Sequence, residues 1–119
     1  MAIELKRAYD KRTNDDGTRV LVDRAWPRGV RKGEARLDEW LKEIAPSTEL
    51  RRWFDHDPAK WDLFVEKYFQ ELGRHKELTA RLATQAKRGR VTLVFGAKDR
   101  EHNNAVALKR YLEAIIGEE

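Results

Sequence analysis

The 119-residue chain has no cysteine, three prolines, one methionine and no long apolar run. Without cysteine there is no disulfide, no thiolate nucleophile and no thiolate metal ligand. That fits a reducing compartment, and a cytoplasmic location is the expectation. No stretch approaches the roughly 18 apolar residues of a membrane span, so no membrane association is expected. The N-terminal Met1-Ala2-Ile3-Glu4-Leu5-Lys6-Arg7 lacks the apolar core of a secretory signal. A P-loop, a dinucleotide-binding glycine fingerprint and an HExxH zinc motif are also missing. No nucleotide cofactor is therefore expected. His56, Asp57 and His102 are metal-ligand types, but they show no close ligand pair at standard spacing, so no metal is expected. Internal repeats, low-complexity runs and linkers are absent too. One domain over residues 1–119 is expected, long enough to bury a single core.

Charge is abundant. Charged residues make up 39% of the chain and hydrophobic ones 40%, and the apolar residues are periodic, so the composition is that of a highly charged globular protein. The net charge of +4 modestly favours anionic partners. It argues only weakly for nucleic acid, because 21 acidic residues are interleaved with 25 basic ones. Two segments are one-sided: Arg24 to Lys32, and Lys87-Arg88-Gly89-Arg90.

Residues 3–9 alternate as a strand with one buried face, and Asn14-Asp15-Asp16-Gly17 reads as a turn. Residues 19–23 form a second strand, apolar enough to be central, which is over by Pro27 because proline cannot donate to a ladder. Residues 36–44 are ambiguous. Leu37, Trp40, Leu41 and Ile44 have helical spacing, whereas Trp40, Lys42 and Ile44 alternate as in an edge strand, and the second half leans towards strand. Ser47 opens a short helix with Leu50, Trp53 and Phe54 on one face. Asp57-Pro58 starts the clearest amphipathic helix, with Trp61, Phe64, Val65, Tyr68, Phe69 and Leu72 as its apolar stripe. Trp61 is expected in the core, and so are Trp40 and Trp53. A third helix runs to about Arg88 and stops at Gly89. Residues 91–95 are a buried strand, and Asp99 is placed to cap a last helix that ends at Gly117. Helices between buried strands imply an α/β layered domain, with a mostly parallel or mixed sheet of about four strands packed by about four helices.

In such sheets ligands sit beyond the carboxyl ends of strands. Two strand ends fall there. The first is Asp23-Arg24-Ala25-Trp26-Pro27-Arg28, two arginines around a stiff Trp-Pro turn; the second is Gly96-Ala97-Lys98-Asp99.

Three blocks in this order resemble the short, YeaO-like branch of the DUF488 family. They are Leu21 to Gly29; Ala45 to Pro58, reading Ala-Pro-Ser-Thr-Glu-Leu-Arg-Arg-Trp-Phe-Asp-His-Asp-Pro; and Val91-Thr92-Leu93 with Asp99-Arg100-Glu101-His102-Asn103. The resemblance covers nearly the whole chain. It implies a fold and candidate positions, and no activity. Longer members of the wider family carry a Val-Asp-Val-Arg type strand end and a Cys-His-Arg triplet near the last helix. Leu21-Val22-Asp23-Arg24 resembles the first; His102-Asn103-Asn104 stands roughly where the triplet would be, without its cysteine. A thiol mechanism is out of reach for this chain.

The candidate ligand-binding residues are Arg24, Trp26, Arg28, His56 and Asn103, and the candidate catalytic pair is Asp99 and His102. Arginine offers a planar fork that fits phosphate or carboxylate. Equally, Arg24 and Arg28 would order the turn by pairing with Asp23, Asp38 or Asp57. As a histidine, His102 is suited to move a proton, or is a plain surface residue. His56 either lines the pocket or bonds a backbone carbonyl. Trp26 either stacks on a ligand or packs under its loop, and packing is favoured. Ser47 reads as a cap, not a nucleophile. The leading expectation is an anionic, phosphorylated small molecule clamped by Arg24 and Arg28 against a wall of Asp99, His102 and Asn103. The alternatives are a nucleic-acid surface built from Arg28, Arg31, Lys32, Lys87, Arg88 and Arg90, and a protein-interaction module with structural ion pairs. Sequence gives no oligomeric state.

Overall fold

The computed structural model describes residues 2–117. Its strands are β1 (Ala2–Arg7), β2 (Thr18–Leu21), β3 (Glu39–Trp40) and β4 (Arg90–Phe95). Its helices are α1 (Lys32–Ala35), α2 (Thr48–Phe54), α3 (Trp61–Leu72), α4 (Lys76–Arg88) and α5 (Asn104–Gly117). The strands form one wholly parallel sheet in the order β1-β4-β2-β3. This is the expected α/β fold; the helix beyond the expected four is the single turn α1. The late strand β4 lies between β1 and β2, so the sheet closes only when residues 90–95 insert.

Register explains the two faces. Ile3 aligns with Val91, and Leu5 with Leu93 and Val20, so these side chains share one face with Phe95. That face buries the main core together with Leu72, Leu82, Leu108 and Leu112 from the long helices. Replacing a fully buried leucine such as Leu93 by alanine costs about 2–5 kcal/mol. The opposite face carries a smaller cluster of Ala8, Leu21 and Val94, covered by Trp26, Val30, Leu37 and Trp40 from the loops. Its other half is polar, with Thr92 and Arg19 in register.

Local chemistry sets the element ends. Ser47 Oγ accepts from the Leu50 amide and donates to Glu71, fixing the start of α2. Asp57 caps a 3-10 turn at Pro58–Lys60 that leads into α3. Three expectations are corrected. Residues 36–44 hold only a two-residue strand, Glu39–Trp40, on the edge beside β2, and then a 3-10 turn at Lys42–Ile44. The last helix is not capped by Asp99. It begins at Asn104, and Asn103 Oδ1 accepts from the Val106 amide, while Asp99 stabilises the preceding turn through the Glu101 and His102 amides. The tryptophans Trp40, Trp53 and Trp61 are only partly buried: their large rings bridge the core margin, and Trp53 is flanked by the ammonium groups of Lys60 and Lys67.

Candidate functional site

The loops that leave β1, β2 and β4, together with α2 and the turn before α5, line an open cavity of about 980 Å3 at the carboxyl ends of the strands. The volume is at the upper end of the usual small-molecule range.

Asp23 organises its floor. As the chain leaves β2, Asp23 Oδ2 accepts from the Gly96 amide at 2.8 Å, and Oδ1 accepts from Asn104 Nδ2 at 3.0 Å. One carboxylate thus ties the exit of β2 to the exit of β4 and the start of α5. A Cβ at position 96 would lie 3.2 Å from Asp23 Oδ2, so glycine permits this close approach. Burial pushes the Asp23 carboxyl up; the Gly96 amide, Asn104 and the field of Arg51 pull it back. Arg7 holds the β4 exit from the other side, donating to the carbonyls of Ala97 and Gly96.

The cations stand around this floor. Arg24 donates to the carbonyls of Ala45 and Pro46 at 3.3 and 3.4 Å, not to Asp23, Asp38 or Asp57. The Asp38 carboxylate takes the Arg19 amide instead, and Asp57 is a cap. Arg28, Arg51, Arg52 and Lys98 also line the cavity, and none of their side chains makes a hydrogen bond or ion pair among the described residues. Arg51 and Arg52 are exposed on α2, Arg52 opposite buried Leu50 and Phe54 and Arg51 beside them. Immediately after that helix, Asp55 (φ 48°) and His56 (φ 54°) are consecutive non-glycine residues in the left-handed region, a costly turn that brings both to the cavity rim.

On the facing side, Asp99 Oδ2 lies 2.9 Å from His102 Nδ1. The Glu101 and His102 amides, then the His102 ring, hold the Asp99 carboxyl below its ordinary value. An ionised Asp99 requires Nδ1 to carry the proton, which leaves Nε2 as the reactive nitrogen. The ring also meets Trp61 edge-on, centroids 5.4 Å apart. The pair has no thiol to activate, and no hydroxyl is hydrogen-bonded to His102 among the described residues.

All seven residues singled out from sequence line this one cavity. Two of them are already committed. Trp26 donates its indole N–H to the Val30 carbonyl at 2.6 Å and meets Trp40 edge-on, so it packs under its loop. Asn103 is buried and uses both ends of its amide, on Asp99 O and the Val106 amide. The residues sequence reasoning passed over are Arg51, Arg52, Lys98 and Asn104, with Asp23 named only as an ion-pair partner. The signal for the α2 arginines is their place off the apolar stripe of that helix. Among the described residues, no group of three or more His, Asp or Glu side chains is placed to hold a metal. Among the same residues, no helix is long and apolar enough to cross a membrane.

The basic segments lie apart. Arg28 is at the carboxyl end of the sheet; Arg88 and Arg90 are at the entry to β4, where Arg90 donates to the Asp15 carbonyl. Arg31 stands 3.9 Å from Glu34.

The sequence is similar to "Uncharacterized protein YeaO" of Escherichia coli strain K12, 44% identical over 115 residues, covering 97% of this chain and 100% of that protein. It is also similar to "Uncharacterized protein Rv3073c" of Mycobacterium tuberculosis strain H37Rv and "Uncharacterized protein Mb3100c" of Mycobacterium bovis. Each is 39% identical over 110 residues, 92% of either chain. No solved structure matches the chain. A family model described as "Inactive DUF488-N3 subclade" matches residues 2–119, and the chain belongs to the DUF488 family in that subclade.

Proposed function

We propose that this protein binds a phosphorylated or otherwise anionic small molecule in the cavity at the carboxyl ends of β2 and β4, without turning it over. The carrying observation is that Arg28, Arg51, Arg52 and Lys98 line one cavity and that their side chains make no hydrogen bond or close ion pair among the described residues. Arginines serving only the fold would be engaged, as Arg19 is. Here four cations stand solvated around a concave site, the arrangement that draws an anion. Arg24 adds a fifth charge from the turn after β2.

Binding without turnover accords with the subclade's description as inactive and with the absence of cysteine beside His102. A second reading, acid–base chemistry by His102, has the Asp99–His102 hydrogen bond in its favour. The separation of Arg28 from Arg88 and Arg90 speaks against a continuous nucleic-acid stripe.

The test is a thermal-shift screen of the wild type, Arg24→Ala and Arg51→Ala against phosphate, sulfate, sugar phosphates, nucleotides, and short DNA and RNA at two salt concentrations. A ligand specific to the folded state raises the melting temperature by mass action. The expected result is a salt-tolerant rise with a small anion, reduced in both variants. A steeply salt-dependent response to nucleic acid alone would replace this reading with the surface one. No response to any anion would end it. Release of product from a responding ligand, abolished in His102→Asn, would favour turnover.

A further inference from the structure

A cavity that served only to neutralise a small inorganic anion would need neither this volume nor an acid on its floor. The lining combines three chemistries. Cations come from three separate elements: Arg28 after β2, Arg51 and Arg52 on α2, and Lys98 after β4. Apolar surface comes from Phe54 and Phe64, whose rings pack with centroids 4.4 Å apart beneath the cavity, and from Pro27 and Pro46. The third is Asp23.

Asp23 is an unusual neighbour for an anion. Its charge opposes the ligand's, yet it sits amid the cations, partly buried and fixed at both oxygens. Each of those oxygens has one hydrogen-bond donor among the described residues, the Gly96 amide or Asn104 Nδ2. A carboxylate has about four acceptor positions, so each oxygen keeps one for a further donor. A ligand made only of anionic oxygens has no donor to offer and would be repelled there. A ligand with hydroxyl groups beside its anion would satisfy both parts of the site.

We infer that the ligand is a phosphorylated polyol, with its phosphate among Arg28, Arg51, Arg52 and Lys98 and a hydroxyl donated to Asp23, carried either by a free sugar phosphate or by a nucleotide. This rests on the anion-binding reading above and adds Asp23 as the residue that selects for hydroxyl groups. The cavity has room for a sugar ring with its phosphate, and the apolar lining suits the ring's C–H face or a base.

The test separates the two claims by calorimetric titration of the intact protein with matched ligands. Propyl phosphate and glycerol 3-phosphate differ by hydroxyl groups alone. Glycerol 3-phosphate is expected to bind about tenfold more tightly or better, the usual scale for a hydrogen bond to a charged acceptor. Equal affinity for the two would overturn the inference and leave the anion site standing. No binding of either, with none for ribose 5-phosphate or AMP, would remove both. Ribose 5-phosphate against AMP then distinguishes the sources: tighter AMP assigns a nucleotide, equal affinity a free sugar phosphate. In Asp23→Asn the preference for glycerol 3-phosphate over propyl phosphate is expected to fall below about threefold, and its persistence would overturn the role of Asp23. If that variant does not fold, the ligand pair on the wild type still decides the inference.

Discussion

The two ends of the sheet use the same residue types to opposite effect. Where the chain enters β2, Arg19 is 2% exposed, and its guanidinium donates to Asp16 Oδ2 at 2.6 Å, Ala35 O at 2.9 Å and Arg36 O at 3.2 Å. Asp16 also takes Lys6 Nζ at 2.7 Å and the Thr13 hydroxyl at 2.9 Å. Thr92 closes the group by donating to the Asp16 carbonyl. Lys6, Asp16 and Arg19 each have a charged partner in this group. At the carboxyl end, Asp23 has two donors, and the cations around it have few partners or none. The aspartates register the difference. Burial alone would raise both. Lys6, Thr13 and Arg19 override it at Asp16, which is driven well below the ordinary carboxylate range, whereas Asp23 stays raised. An arginine near a strand end is structural where the fold uses up its donors and available where it does not.

Breaking the closed end should have the largest effect. Arg19→Ala leaves Asp16 buried with reduced compensation and is expected to cost about 3–5 kcal/mol in urea unfolding. A loss below about 1 kcal/mol would show that the network is no tighter than a surface pair. Next come the glycines. Gly17 has φ 66°, and a Cβ there would overlap the Arg90 carbonyl; Gly29, on the cavity side, has φ 76° with open space around it. Gly17→Ala should destabilise by more than about 2 kcal/mol, and Gly29→Ala by only about 1 kcal/mol, the left-handed strain alone. Equal losses would remove the contrast between a packed and an open end.

Acid should distinguish Asp16 from Asp23 by sign. Asp16 and Asp10, the latter held at about 2 chiefly by its hydrogen bond to Arg100, have folded values below the unfolded one. Their contribution is present above the unfolded value near 4 and is lost as the pH falls towards and below their folded values. Asp23, raised, contributes in the opposite sense: its share is full below the unfolded value and is lost as the pH rises through the folded one. Urea midpoints should therefore fall as the pH drops from about 5, more gently in Asp16→Asn and more steeply in Asp23→Asn. Parallel profiles for the two variants would contradict the assignment.

The smallest stability change belongs to the open end. Arg51→Ala and Arg52→Ala should each shift unfolding by less than about 0.5 kcal/mol, as exposed side chains without partners do. Each should nevertheless weaken binding of a phosphate ester about tenfold in titration. Loss of stability without loss of binding would make them structural.

Much of the fold was legible along the chain. Alternation placed Ile3 and Leu5 on one face of β1, and the 3.6-residue stripe marked α3 with Phe64, Val65, Tyr68 and Leu72 buried. The candidate site was legible in part. Arg24, Arg28, Asp99 and His102 stood at strand ends that converge, but Arg51 and Arg52 read only as the polar side of a short helix. The segment 36–44 was ambiguous because its apolar residues serve both faces of the sheet: Leu41 and Ile44 enter the main core, and Leu37 and Trp40 cover the other side. No single period fits that.

By itself the sequence determined which faces are apolar, where elements start and stop, and that no thiol chemistry is available. These follow from side-chain type and short-range spacing, a few residues at a time. Only the tertiary structure decided which charges are consumed. The Gly96 amide reaches Asp23 across 73 positions, and Arg19 finds its carbonyl acceptors 16 and 17 residues away. Whether an arginine is locked or free depends on the donors and acceptors that distant segments bring to it, and local periodicity carries no record of those partners.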